Sequence, residues 1–142
     1  MILPDVNVLV YAFRAESQDH ERYRAWLLDL ANSDEAYAIA GMVLGSFVRV
    51  VTNHRIFRPP SPLDLALRFA ERLLTPAQCI TLSPGARHWA IFARLCRESG
   101  ATGNLVPDAF LAALALEHGC ELVTNDGDFA RFKGLRWRHP LA

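Results

Sequence analysis

Three aspartates, Asp5, Asp108 and Asp126, each stand at the boundary of an apolar run. Carboxylates gathered in one place are the natural ligands of a hard divalent cation. Asp5 follows the apolar run Met1 to Pro4, and Asp126 follows Leu122-Val123-Thr124-Asn125. Asp108 leads Ala109 to Leu116, a segment apolar around its whole circumference and therefore expected to be buried. Taken singly, each acid is as well explained by a helix cap, because a carboxylate at a helix start accepts orphan amide protons and complements the dipole. Convergence makes the case for a site. Parallel sheets bind ligands at the carboxyl ends of their strands, where Asp5 and Asp126 should both emerge, and a helix starting near Asp108 begins beside them. Two ionised carboxylates about 4 Å apart repel by roughly 4 kcal/mol at an effective dielectric near 20. These motifs hold no lysine or histidine to offset that repulsion, so magnesium, with manganese as the alternative, is the expected occupant. Such an ion polarises a phosphate oxygen and acidifies bound water, which is the chemistry of phosphodiester hydrolysis. Asn7 could orient a carboxylate or a metal-bound water, or equally close an Asx turn. Thr124 and Asn125 lead into Asp126 and are candidates for contact with metal water or substrate.

The elements that must hold these residues follow from pattern. Short apolar runs alternate with segments of helical period, the signature of an α/β fold with a parallel sheet covered by helices. Strands are expected at Met1 to Pro4, Tyr37 to Ala40, Cys79 to Leu82 and Glu121 to Thr124, with a last one through Arg136 to Arg138. Pro4 cannot donate to a ladder and belongs near an edge or a strand end. Tyr23, Trp26, Leu27 and Leu30 recur on one helix face, and Met42 to Thr52, apolar on all sides, reads as a buried helix. Ser61-Pro62-Leu63-Asp64 is a start signal for a helix through residue 74, with Ser61 as N-cap. Ser83-Pro84 repeats the signal before a stripe of Trp89, Phe92, Ala93 and Cys96, and Leu105 to His118 is a helix stopped by Gly119.

The chain has 142 residues, 51% hydrophobic and 21% charged, with fifteen basic and fifteen acidic residues that cancel. A single domain over residues 1–142 is expected. The zero balance removes the global basic charge of many nucleic-acid binders and leaves local patches. Cys79, Cys96 and Cys120 are odd in number and unpaired in spacing, so they read as reduced and buried thiols. No positive leader or membrane-length apolar run is present, and the expected location is the cytoplasm with no membrane partner.

Taken together, Asp5-Val6-Asn7, Gly103-Asn104-Leu105-Val106-Pro107-Asp108-Ala109 and Thr124-Asn125-Asp126-Gly127-Asp128-Phe129, in that order, resemble the VapC toxins of the PIN-domain family. The resemblance runs from residue 1 to Trp137. It implies a PIN-like three-layer sandwich with a central, mostly parallel sheet of four to five strands flanked by helices. It also implies a metal-dependent endoribonuclease acting on structured RNA such as tRNA or rRNA. A cognate VapB-type antitoxin as inhibitor and a homodimer are implied as well. One departure stands out: where the family carries a pocket glutamate, this chain has Ser46, a poor replacement for a charged ligand. Glu117 lies nine residues past Asp108 and points to the opposite face, so Asp128 is the fourth carboxylate the sequence offers. Arg49, three residues past Ser46, should share its face and either bind substrate phosphate or pair with a pocket acid.

Arg55, Arg58, Arg131, Arg136 and Arg138 are further RNA-contact candidates. The five histidines lack ligand spacing, which argues against zinc, and Trp26, Trp89 and Trp137 fit core faces better than base-stacking platforms. A haloacid-dehalogenase-type phosphatase would need an aspartate where Asn7 stands. A receiver domain would need paired acids after the first strand and a lysine nearer the sheet than Lys133. The remaining alternative is a catalytically weakened PIN-like protein that binds RNA or an antitoxin, because of Ser46.

Overall fold

The alternation of apolar runs and helical segments resolves, in a computed structural model describing residues 1–142, into five strands and six α-helices. In chain order these are β1 (Ile2–Pro4), α1 (Val6–Phe13), α2 (His20–Asn32), β2 (Tyr37–Ala40), α3 (Gly41–Val51), α4 (Leu63–Leu74) and β3 (Cys79–Leu82). They continue with α5 (His88–Ser99), α6 (Leu105–His118), β4 (Glu121–Val123), a 3-10 turn (Gly127–Arg131) and β5 (Trp137–Arg138). All strand pairings are parallel, in the order β3-β2-β1-β4-β5. The chain thus builds outward from β1 on one side through β2 and β3, then returns to place β4 and β5 on the other. The order reverses between β1 and β4, which is where open parallel sheets leave a crevice at their carboxyl edge.

The three central strands are almost wholly apolar because both faces are covered, as parallel sheets require. Leu3, Ala38, Ile39, Leu122 and Val123 are completely buried. Pro4 sits in the central strand but at its last position, paired with Val123, so its missing donor removes little from the ladder.

Several expectations need correction. Val6–Phe13, rich in β-branched and aromatic residues and given no element from its pattern, forms α1 directly after β1, with the Asp5 carboxylate accepting from the Val6 amide at 2.7 Å as its N-cap. Burial of Val8, Leu9 and Val10 in the core overrides local preference. Helix α3 is amphipathic rather than buried all round: Val43, Phe47 and Val51 face the core while Gly45 and Arg49 are exposed. Ser61 does not cap α4, because its hydroxyl accepts from Arg14 at 2.8 Å instead. Helix α5 starts at His88, and its inward stripe is His88 and Leu95 with Ile91 and Phe92 half-buried, whereas Trp89 is 71% exposed. All three thiols are free, but only Cys120 is buried. No helix is long and apolar enough to cross a membrane.

Candidate metal centre

The carboxyl edges of β1 and β4 carry the centre. Beyond Pro4 and Val123, which are register partners, the Asp5 amide donates to the Val123 carbonyl at 2.9 Å and locks the two strand ends side by side. Asp5 is only 7% exposed, and its two oxygens are both engaged. One accepts from the Val6 amide, the other from the Thr124 hydroxyl, each at 2.7 Å. Thr124, completely buried, turns its oxygen to a second use by accepting from the Asp126 amide at 3.0 Å. Asp126 in turn accepts from the Asp128 amide at 2.9 Å and so shapes the 3-10 turn. One chain of hydrogen bonds therefore runs from the first strand to the fourth and fixes the order Asp5, Thr124, Asp126, Asp128.

Asp108 arrives from a different direction, in the first turn of α6, where the buried Ala109 to Ala115 face presses the helix start against the sheet. Its carboxyl is pushed up to about 6, first by burial and then by the negative charges of Asp5, Asp126 and Asp128. Burial also raises the Asp5 carboxyl, against the pull of the Thr124 hydroxyl and the Val6 amide, and Asp126 adds to the rise. Asp108 therefore feels the other three acids and Asp5 feels Asp126 across the topological switch point, and no cation is among the groups acting on Asp5 or Asp108. As the side chains are oriented, no three of the His, Cys, Asp or Glu groups stand close enough to hold an ion among them. The expected three-aspartate cage is thus an acidic cluster held by backbone and hydroxyl contacts, not a closed coordination shell.

The remaining candidates divide. Thr124 cannot meet substrate, since it is fully buried and its hydroxyl is spent on Asp5 and Asp126. Asn125 turns its amide away from the acids, donating to the Tyr23 hydroxyl at 3.3 Å. Asn7 is exposed, and Ser46 is half-buried on α3; neither bonds to the aspartates, whose partners are Val6, Thr124 and Asp128. Arg49 is exposed and exerts no charge on Asp5 or Asp108, so it pairs with neither. Glu117 does face away, accepting from the Gly85 and Arg87 amides at 2.8 and 2.9 Å. Among the arginines, Arg138 bonds Glu121 at 2.7 Å, Arg136 the Gly119 carbonyl at 3.1 Å, and Arg131 lies 3.8 Å from Asp128. Tyr23 and His139, which adjoin Asn125, carried no functional signal in the sequence; only the fold brings residues 23, 125 and 139 together.

Residues 2–135 match the PIN domain family. The chain belongs to that family. Among its relatives, VapC ribonuclease Mb2897 of Mycobacterium bovis is 46% identical over 141 residues, covering 99% of this chain and 96% of that one. Ribonuclease VapC25 of Mycobacterium tuberculosis is 41% identical over 140 residues, with 99% of each covered. Among solved structures, VapBC2 from Rickettsia felis, bound to a promoter DNA fragment, superposes with a TM-score of 0.69 at 23% identity over 98% of each chain. VapC20 of Mycobacterium tuberculosis, a toxin that cleaves the sarcin-ricin loop, gives 0.65 at 20% identity, covering 96% of this PIN domain and 99% of that chain. The five-stranded parallel sheet with helices on both faces is the PIN arrangement that the sequence motifs imply.

Proposed function

We propose that this chain is a divalent-metal-dependent endoribonuclease of the VapC type, the toxin of a toxin-antitoxin pair, with residues 1–142 acting as one PIN unit. The observation that carries the reading is the convergence of Asp5, Asp126 and Asp128 on Asp108 at the switch point, with no cation acting on Asp5 or Asp108. Hard oxygen donors under mutual repulsion suit magnesium or manganese, and the names of the relatives supply the ribonuclease class. Bound there, the ion would polarise the scissile phosphate and lower the pKa of attacking water.

The chain's own residues have separable roles. Asp5 is held in one orientation by Thr124 and Val6 and would be the fixed ligand. Asp126 is aligned by the same threonine, through its amide. Asp108 keeps a proton up to about pH 6 in the metal-free chain and must release it to serve as a ligand. Asp128, exposed beside Arg131, would assist from the rim. The substrate would be structured RNA of the tRNA or rRNA kind and the setting the cytoplasm, with a second copy of the chain as dimer partner. A VapB-type antitoxin is the expected inhibitor, since several of the solved relatives are toxin-antitoxin complexes.

The test is incubation of the purified protein with total RNA in magnesium or manganese, and in chelator, beside Asp5→Ala. Metal-dependent cleavage lost in Asp5→Ala is expected. Cleavage persisting in chelator or in the variant would overturn the metal reading. Ser46 in place of an acid, together with the open arrangement of the carboxylates, favours a second reading as a weakened RNA- or antitoxin-binding protein. RNA binding without cleavage under any condition would support that one.

A further inference from the structure

Beside the acidic cluster, at the same carboxyl edge of the sheet, lies a polar cavity of about 280 Å³ lined by Tyr11, Gln18, Asp19, Tyr23, Asn125 and His139. Asn125 joins the two, since its backbone precedes Asp126 while its side chain enters the cavity wall. The polar groups there have determinable roles. The His139 Nδ1 accepts from the Leu141 amide at 3.1 Å, so in the neutral ring the proton sits on Nε2, 3.4 Å from the Tyr23 hydroxyl. That hydroxyl also accepts from the Asn125 amide. Receiving two donors, it keeps its own proton free to give. Its ring is fixed, being 3% exposed and packed edge-on against Tyr11 with centroids 5.1 Å apart. Asp19, also in the lining, holds a left-handed backbone at φ 58° and presents an exposed carboxylate in a loose ion pair with Arg22 at 3.9 Å, which leaves it room to accept further donors.

We propose that this cavity receives one unpaired base of the RNA next to the cleaved phosphate, and that its donor and acceptor set selects guanine. The proposal rests on the ribonuclease reading of the adjoining aspartates. A phosphate is disfavoured by Asp19 and the neighbouring acids, whereas a neutral base meets no such barrier. The acceptors, Asp19 and the Asn125 carbonyl oxygen, call for adjacent N–H donors, and the free Tyr23 proton calls for a ring acceptor. Guanine presents both on one edge, with neighbouring N1–H and N2–H donors beside the O6 acceptor. Adenine and the pyrimidines do not offer that pair of adjacent donors. Tyr11 supplies an aromatic wall for the base.

Two measurements on the full chain test this. Titration with GMP, IMP and AMP in magnesium, followed by nuclear magnetic resonance, should shift the Asn125 side-chain amide and the Tyr23 ring with GMP, and bind IMP and AMP about tenfold more weakly, because a site built to hydrogen-bond a group rejects analogues lacking it. Asp19→Asn, which tolerates the left-handed backbone, should abolish the preference. Sequencing the ends cut from a random RNA pool should show guanine enriched at a position flanking the cut, with the bias lost in Asp19→Asn and weakened in Tyr23→Phe. GMP binding that discriminates, without any cleavage, would leave the pocket standing and overturn only the ribonuclease reading. Cleavage with the same end bias in wild type and both variants, or equal response to the three nucleotides, would overturn the pocket.

Discussion

At the scale of single residues, Thr124 is the hinge of the candidate centre although it faces neither solvent nor substrate. Its hydroxyl donates to Asp5 and accepts from the Asp126 amide, so one buried oxygen aligns two candidate ligands. Partners that orient ligands are typically worth about 10–100-fold in metal affinity. Thr124→Val should therefore weaken magnesium binding by about that factor in calorimetric titration while Thr124→Ser retains it; equal loss in both would place the effect in packing. Asp108 gives a second test. Its folded pKa of about 6 lies above the ordinary 3.8, so the folded chain prefers the protonated acid. The associated stability is present below about pH 4 and lost as pH rises through about 6. A two-unit rise is worth at most about 3 kcal/mol, which solvent screening at this half-buried group reduces to about 1–2 kcal/mol. In chelator, Asp108→Asn should raise the melting temperature at pH 7.5 and change it little at pH 4, and in magnesium the same variant should lose cleavage. A lower melting temperature at pH 7.5 would show that the carboxylate is not under strain.

At the scale of elements, the pairing of α5 with α6 depends on Glu117. Its carboxylate, the last acid of α6, accepts from the Gly85 and Arg87 amides ahead of α5, and the Arg87 guanidinium donates back to the Glu117 carbonyl at 2.6 Å. The Gly85 amide is the main influence holding the Glu117 carboxyl below its ordinary value of 4.5, with the Arg87 amide assisting and burial opposing. A depressed carboxyl stabilises the fold above that value and stops doing so as pH falls below it. A Cβ on Gly85 would lie 2.8 Å from Glu117 Oε2, so Gly85→Ala must displace the carboxylate. A lower unfolding midpoint is expected in denaturant, as for a broken hydrogen-bond network. Combining it with Glu117→Ala should cost less than the sum of the two, because both remove the same bonds.

For the molecule as a whole, the balanced charge leaves association to shape and local chemistry. Between α1, α2 and α4 runs an apolar cleft of about 390 Å³ lined by Phe13, Leu27, Leu28 and Phe69, with Arg24 and Arg72 also in its wall. Leu28 is 44% exposed there, an apolar side chain unburied within the monomer. An antitoxin helix with an apolar face and acidic flanks would complement the cleft. Leu28→Glu should then abolish co-elution with a co-expressed VapB-type partner in size-exclusion chromatography and leave the melting temperature nearly unchanged. Undiminished co-elution would move the partner to another face.

Composition and periodicity were enough to locate the sheet strands to within a residue or two, the buried helix behind Asp108, and the aspartates at the two strand ends, because burial on both faces writes uninterrupted apolar runs, short in strands and longer in the helix, that local composition reveals. It also placed Glu117 on the face away from Asp108, since helical period alone decides that. Tertiary structure decided the rest. Val6–Phe13 became a helix against its local preference because the core claimed its apolar face, and Trp89 stayed outside because α5 turned His88 and Leu95 inward. Thr124 was removed from substrate contact by hydrogen bonds to residues far away in the chain or fixed by the turn. The cavity of Tyr23, Asn125 and His139 exists only where α2, β4 and β5 meet, since hydrogen bonds between residues more than a hundred positions apart have no local sequence signature.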